Sequence, residues 1–264
     1  MPIIFFDTET TGLDRGSRML SLAAIAVDES TYEEIDRCEW TVNPGMPVPP
    51  DVTKINGFTD ETVKDAPPAD QVLREFSEWV GKNRNLVGHY VSYDTGILTW
   101  EAGRAGIALP PGLLVLDTCE IARSLRRTKR NSLDALVEHY GIERCGEGHR
   151  AMSDADACLQ YLRKVRATEH IAYEWTPWDS AGHDYAYTDA LPDPLRHLPD
   201  LVAAGAPLTF RYEDKDGALT ERTITPYGWA AKGDGVYFHG FCHLRQERRT
   251  FHVERVLSVL EAAA

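Results

Sequence analysis

Asp7 and Glu9 stand two residues apart at the end of the apolar run Ile3-Ile4-Phe5-Phe6. On a strand that spacing projects both carboxylates from one face, where they repel each other unless a cation sits between them. Taken alone, most Asp-x-Glu pairs are solvated strand ends. Two further acids change the reading. Asp94 follows the short apolar segment Leu86-Val87-Gly88 after a loop that begins at His89, and Asp154 opens a long helical segment. Strand ends on one edge of a sheet converge, so four carboxylates from distant stretches predict one pocket. Hard divalent cations such as Mg²⁺ or Mn²⁺ take such oxygen ligands. His149 lies five residues before Asp154, in the loop ahead of the helix. Alone it would read as a surface histidine, but an imidazole of pKa about 6.5 can also remove a proton from water near neutral pH. Acids with one mobile histidine describe metal-assisted phosphodiester hydrolysis, in which two cations about 4 Å apart activate the attacking water and stabilise the leaving oxygen.

The motifs that carry these residues are Phe6-Asp7-Thr8-Glu9-Thr10-Thr11-Gly12-Leu13, the segment from His89 to Asp94, and His149-Arg150-Ala151-Met152-Ser153-Asp154-Ala155-Asp156-Ala157. In this order they resemble the DEDDh family of 3′→5′ exonucleases. Ile55-Asn56-Gly57-Phe58-Thr59 and Asn131-Ser132-Leu133-Asp134-Ala135-Leu136 also fall where that family has similar segments, so the resemblance covers about residues 1–166. It implies that Asp7, Glu9 and Asp154 hold a first metal, that Asp7 bridges to a second held by Asp94 largely through water, and that His149 is the general base. Asp156 matches a position that is not a ligand. Tyr90 departs from the pattern, since the family commonly has Asn after the His. Thr10 and Leu13 match positions that touch the terminal nucleotide, where Leu13 could wedge against a base; ordinary turn packing serves both equally well.

Several elements must position these groups. Ile3–Phe6 and Met19–Val27 read as an antiparallel pair, with a third strand near Arg37–Val42. Val72, Phe76, Trp79 and Val80 recur at helical spacing; Leu86–Gly88 and Leu113–Leu116 read as buried strands. Helices follow through Ile97–Trp100, from Cys119 behind an Asp117 or Thr118 cap, from Ser132 to Tyr140, and from about Ser153 to Val165. The element order gives an α/β fold, a mixed sheet flanked by helices with a small C-terminal all-β barrel; the exonuclease resemblance implies that the sheet is ribonuclease H-like.

The barrel rests on residues 207–264, where Leu208–Tyr212, Glu221–Thr225, Val236–Cys242 and Thr250–Val253 alternate with turns such as Asp216-Gly217. The runs Phe210-Arg211-Tyr212, Arg222 to Pro226, Val236 to Cys242 and Arg249 to Val256 resemble a WYL domain, which implies that the barrel is Sm/SH3-like. The signature triplet is altered, with Val236 in place of Trp and Phe238 in place of Leu. Such domains are proposed to bind nucleic acid or a nucleotide-like ligand, which makes Arg211, Arg222, Tyr237, His239, Arg249 and Arg255 the candidates for holding a strand. Bases stacked on aromatics beside cations are the mode expected for single strands. Equally, the aromatics fill a core and the arginines pair with Glu213, Glu221 and Glu254.

The chain has 264 residues, 43% hydrophobic and 26% charged, which excludes disordered, collagen-like and coiled-coil classes. Its net charge of −13 argues against coating of nucleic acid by bulk charge. Residues 1–166 carry −7, residues 167–206 carry −6 and residues 207–264 carry none. The middle segment, with Pro177, Pro192, Pro194 and Pro199 beside Trp175, Trp178, Tyr185 and Tyr187, reads as a connection lying against a domain surface. Against this background Arg123, Arg126, Arg127, Lys129 and Arg130 form a basic strip. Such runs are usually solvated faces; beside a phosphodiesterase pocket, Arg126, Arg127 and Arg130 become a track for the strand backbone. Five scattered cysteines are expected as reduced, mostly structural thiols, and the absence of a long apolar run or basic leader leads us to expect a cytoplasmic protein with no membrane association.

The function expected is removal of nucleoside 5′-monophosphates from the 3′ ends of single-stranded DNA. RNA is the alternative substrate, because the motifs do not distinguish the sugar. A second class is a ligand or nucleic-acid sensor built on a weakly active exonuclease fold, which would have no need of five clustered titratable groups.

Overall fold

A computed structural model describes residues 2–169, 174–180, 185–233 and 235–262. Strand β1 (Ile3–Thr10) pairs antiparallel with β2 (Met19–Val27), and β2 with β3 (Glu34–Thr41). Helices α1 (Pro50–Asn56), α2 (Asp60–Val63) and α3 (Ala69–Val80) lead to β4 (Asn85–Gly88), then α4 (Ser92–Ala105), β5 (Leu114–Asp117), α5 (Thr118–Leu125), α6 (Leu133–Tyr140) and α7 (Ala151–Thr168). The sheet order is β3-β2-β1-β4-β5-β6, with β1, β4 and β5 parallel and β6 (Thr176–Pro177) at the edge.

Strand parity decides which helix each acid meets. Ile3 and Phe5 pack with Leu159, Leu162 and Val165 of α7, whereas Ile4 and Phe6 pack with Phe76 of α3 and Leu98 of α4. Continuing the alternation by two, Asp7 and Glu9 project toward the α7 face and Thr8 toward the α4 face. Each buried Phe contributes roughly 1.5–3 kcal/mol, so a one-residue slip of β1 would expose a core and invert the acids together. Every residue of β2 is buried, which fixes the register of β1 from its other side.

The acidic connection is held at both ends. Trp178 is buried in the nuclease-side core, its ring 6.2 Å from that of Phe6, and its indole N–H donates to Thr99 Oγ1 at 3.1 Å. Leu195 and, on α8 (Leu198–Ala204), Leu198, Leu201 and Val202 join the core of the following strands.

Those strands are β8 (Leu208–Glu213), β9 (Leu219–Lys232), β10 (Gly235–Cys242), β11 (Glu247–His252) and β12 (Val256–Ala262), in the order β11-β10-β9-β8-β12, with β7 (Tyr185–Ala186) added beside the end of β9. Among the described residues β11 and β12 do not pair, so the expected barrel is an open antiparallel sheet. Its curl comes from β9. The first half of β9 pairs with β8 and the second with β10, and the register shifts between His239 and Gly240, opposite Pro226 and Gly228. A Cβ on Gly240 would come within 2.3 Å of Thr225 O, so only glycine permits the strand to turn there.

The two sheets meet at the loop that follows the first motif. Gly16 lies at φ +78°, and a Cβ there would stand 2.0 Å from the carbonyl oxygen of Trp229. That carbonyl accepts from Trp100 Nε1–H at 3.0 Å. Arg248 reaches across from β11, donating to Asp51 Oδ2 at 2.7 Å and to Thr11 O at 3.0 Å, with its guanidinium 4.7 Å above the Tyr227 ring. Gly16→Ala should therefore destabilise the protein by about 2–4 kcal/mol and split its calorimetric unfolding into two transitions. A single transition at the wild-type temperature would show that this contact does not join the halves.

Candidate active site

Asp7 and Glu9 lie where β1 runs past the end of β4, which pairs with it only over Ile3–Phe5. Beyond that point the edge of β1 facing β4 has no strand partner, and Asp94, in the first turn of α4, takes its place. Asp94 Oδ1 accepts from Thr8 N–H at 3.0 Å and from Thr8 Oγ1–H at 2.6 Å. Asp154 enters from the other face on the first turn of α7. A helix N-terminus favours an anionic side chain in its first turn, and both helices place one there.

Asp7, Glu9 and Asp154 each offer a carboxylate oxygen within 4.8 Å of the others. Asp94 lies outside that triad and lines a cleft together with Asp7. Desolvation raises Asp7 well above the usual carboxylate range, reinforced by Asp94, Asp154 and Glu9 and opposed by Arg144. Glu9 is pushed up to about 7, first by desolvation, against a hydrogen bond from Asn56. Asp94 is likewise pushed up to about 7 by burial, against the two bonds from Thr8. Hard oxygen donors held at this separation, and reluctant to ionise together, fit a divalent cation.

His149 sits at φ +58° in the loop before α7; its N–H donates to Asp154 Oδ2 at 3.2 Å and its side chain is exposed. Sequence reasoning missed three neighbours. Arg144 bonds Asp154, and bridges to Asp134 at 2.5 Å. Asn56 is buried, and its amide donates to Glu9 Oε2 and Thr10 O, each at 3.3 Å. Arg150 lies over Phe58 at 5.5 Å and acts on Glu9 as a nearby positive charge. Asn56 and Arg150 fall inside segments that the resemblance picked out, but composition assigns them no role. Arg144 has only its place in the His149 loop to mark it.

The expected substrate contacts divide. Leu13 is 88% exposed at the cleft, whereas Thr10 is buried, its hydroxyl bonding Gly12 O and the Tyr93 hydroxyl, each at 2.6 Å. In the basic strip Arg127 is paired with Glu169 at 2.9 Å, while Arg126 and Arg130 are exposed. The backbone carbonyl of Asn131, next to Arg130, lies 2.8 Å from His89 Nε2 and also accepts from Cys119 Sγ at 3.5 Å. The strip is thereby tied to the second motif. On the C-terminal sheet, Tyr237 and His239 line the cleft together with Thr250, Asp7, Asp94 and Leu13. His239 is buried with Nε2 unbonded, and burial lowers its pKa to about 4, so the ring is neutral. The arginines do not join them as a set. Arg222 is buried beneath the sheet with one terminal nitrogen unbonded, Arg249 pairs with Glu247 at 3.1 Å, and Arg211 faces Glu221 in the strand register. Arg255 lies in the turn before β12.

The model of the exonuclease family that includes ribonuclease T matches residues 4–162. The chain belongs to the DEDDh-type exonuclease family. A model of the WYL domain matches residues 194–260. Among curated proteins, the chain is 35% identical over 164 residues to DNA polymerase III PolC-type of Bacillus cereus, covering 61% of this chain and 11% of that protein. It is 32% identical over 194 residues to the Bacillus subtilis protein of the same name, covering 72% and 13%. The chain thus spans about an eighth of the length of these relatives or less. Among solved structures, the nuclease domain of 3′hExo, a DEDDh family member bound to rAMP, aligns with a TM-score of 0.58 at 15% identity over 66% of this chain and 96% of that one. Exonuclease I aligns with a TM-score of 0.57 at 14% identity over 99% of this chain and 64% of that one, so the shared fold extends through the second sheet. Among the described residues no helix is long and apolar enough to cross a membrane.

The raised carboxylates set a pH dependence. Glu9 and Asp94 titrate at about 7 in the folded chain against ordinary values of 4.5 and 3.8. Between about pH 4 and 7 the folded chain therefore holds protons that the unfolded chain has released, and stability from these two groups falls as pH rises through that window. In chelator, the melting temperature should carry this downward component, and Glu9→Gln or Asp94→Asn should flatten it. Mn²⁺ should raise the melting temperature more at pH 8 than at pH 5. Identical slopes for wild type and both variants would contradict the assignment.

Proposed function

We propose that the chain is a metal-dependent 3′→5′ exonuclease that releases nucleoside 5′-monophosphates from unpaired DNA. The observation that carries this reading is the convergence of Asp7, Glu9 and Asp154, from opposite ends of the domain, within 4.8 Å of one another. Asp7, Glu9 and Asp154 would hold one Mg²⁺ or Mn²⁺ ion, and Asp7 with Asp94 a second. Such ions, when bound, supply charge neutralisation at the scissile phosphate and a more acidic water. His149 accepts the proton of the attacking water; its exposed loop position lets it approach and withdraw. Asn56 and Thr8 fix the carboxylates of Glu9 and Asp94.

The chain is organised in this reading as an exonuclease unit, residues 1–166, a connection, 167–206, whose Trp178 packs with the first unit and whose α8 packs with the second sheet, and a strand-holding domain, 207–264. Support for the last role comes from the cleft of about 690 Å³ in which Tyr237, His239 and Thr250 face Asp7 and Asp94. The Exonuclease I structure, described as suggesting how processivity is achieved, has the same fold over nearly the whole of this chain. Leu13 contacts the terminal nucleotide, and Thr10 shapes the turn that presents it. Arg126 and Arg130 guide the backbone, Arg127 being already paired; on the second sheet Arg211 and Arg255 offer further cations, whereas Arg222 is buried and Arg249 is paired with Glu247. DNA is preferred over RNA on the strength of the DNA polymerase relatives.

With 5′-labelled single strands and Mn²⁺, the expected product is a ladder shortening from the 3′ end. Chelator should abolish it, and His149→Ala should slow it at least about a hundredfold, in line with general-base contributions of about 10²–10⁴. Endonucleolytic fragments, or His149→Ala at full rate, would overturn the mechanism; faster loss of RNA would move the substrate assignment. The double variant Arg126→Ala/Arg130→Ala should flatten the salt dependence of strand binding by about one to two phosphate contacts, measured by anisotropy in Ca²⁺. An unchanged slope removes the strip from the substrate path.

A further inference from the structure

The ring of Tyr90 is exposed at the cleft, and packing does not account for it. The residue sits at φ 59°, a left-handed conformation uncommon for a bulky side chain and several-fold more accessible to Asn. Its N–H donates to Asp117 Oδ1 at 2.9 Å, and the same oxygen caps α5 through Cys119 N–H at 2.8 Å. The turn is thus clamped from outside, with Val91 buried behind it and the Tyr90 ring 54% exposed. Such strain persists where the surroundings over-determine it, and it gathers at functional sites. The ring lines the cleft that contains Asp7 and Asp94, together with Leu13 and, on the second sheet, Tyr237. An aromatic surface fixed beside a phosphodiester-cleaving centre and left more than half exposed has the chemistry to accept the face of a nucleobase.

We infer that Tyr90 is a specificity-determining residue whose ring stacks on one base near the 3′ end of the bound strand, making the enzyme dependent on an intact unpaired base at that position. The inference rests on the nuclease reading above and goes beyond it by naming what the site requires of its substrate. Because every base has a π-face, the contact reads the presence of a base and is tolerant of its identity.

Steady-state cleavage of 5′-labelled oligonucleotides carrying a single abasic site at each of the last few positions tests it. Tyr90→Ala should raise KM about ten- to a hundredfold, while Tyr90→Phe and Tyr90→Trp stay within about threefold. At one abasic position wild type should suffer a comparable loss and Tyr90→Ala little further loss. Tyr90→Asn should bind more weakly yet melt at a temperature equal to or above that of wild type, because Asn relieves the backbone. A ring needed only for packing would lower the melting temperature instead. If wild type cleaves and Tyr90→Ala matches its KM, or if the variant and every abasic substitution act additively, stacking is refuted and the nuclease reading stands. If wild type degrades no strand at all, it is the nuclease reading that fails.

Discussion

Mutual repulsion among Asp7, Glu9 and Asp154 is the constraint to which the nuclease half of the fold answers. Three like charges within 4.8 Å would separate on any flexible scaffold. Here two of them ride on a strand paired on one side along its whole length to a fully buried neighbour, and the third on the first turn of an 18-residue helix packed across that strand. Neutral and positive groups offset the crowding: Asn56 at Glu9, Thr8 at Asp94 and Arg144 at Asp154. These contacts do so only in part, and burial first, with the neighbouring acids second, keeps Asp7 and Glu9 reluctant to ionise. Site and scaffold are therefore opposed energetically, with core packing supplying the rigidity that the acids work against.

The second sheet takes part in the same arrangement. The turn after Glu9 is bonded from its own domain by Tyr93 and Thr10 and from the other by Arg248 and Thr250, the latter donating to Asp14 Oδ1 at 3.2 Å. Leu13, on that turn, is presented to the cleft between anchors from both halves. Close backbone approach of Gly16 to Trp229 leaves no side-chain layer in which the halves could slide. A ligand on the C-terminal sheet that moved β11 would pull on Thr11, two residues from Glu9, through a single guanidinium.

Much of this was legible in the sequence wherever one period governed the element. Alternation of side chains along the strand from Ile3 placed Asp7 and Glu9 on a common face, and the first strands and five helices between Ala69 and Thr168 follow from apolar spacing and caps, whereas the short α1 and α2 were not foreseen. The C-terminal strands were harder. Pro226 and Gly228 read as the end of a strand, yet β9 runs through them because the register shift at Gly240 absorbs the missing donor and the bend. Strand β12 was not foreseen, since its exposed Leu257 and Leu260 break the alternation that marks a half-buried strand. Among the site residues, the acids were visible because their chemistry is in their type. Arg144 and Arg150 were not, because an arginine's role depends on which carboxylate tertiary packing brings to it. The six candidates on the second sheet could not be sorted either: strand parity puts Arg222 beneath the sheet, while Tyr237 and His239 reach the cleft through a domain contact that no local pattern encodes.

The placement of His149 completes the logic. Ligands for a cation gain from rigidity, since each fraction of an ångström of movement alters a strong interaction. The general base of the proposed mechanism, which takes a proton and then lets product leave, gains from the opposite. His149 sits outside the core, at a left-handed residue in a loop, its backbone N–H bonded to Asp154. Arg144 of the same loop holds the other oxygen of that carboxylate. Any cation that draws on Asp154 competes with both contacts, so the charge state of the acid cluster and the position of His149 are coupled through one side chain. The coupling requires no distant pathway: His149 is joined to the acids through Asp154, the carboxylate that helix α7 delivers to them.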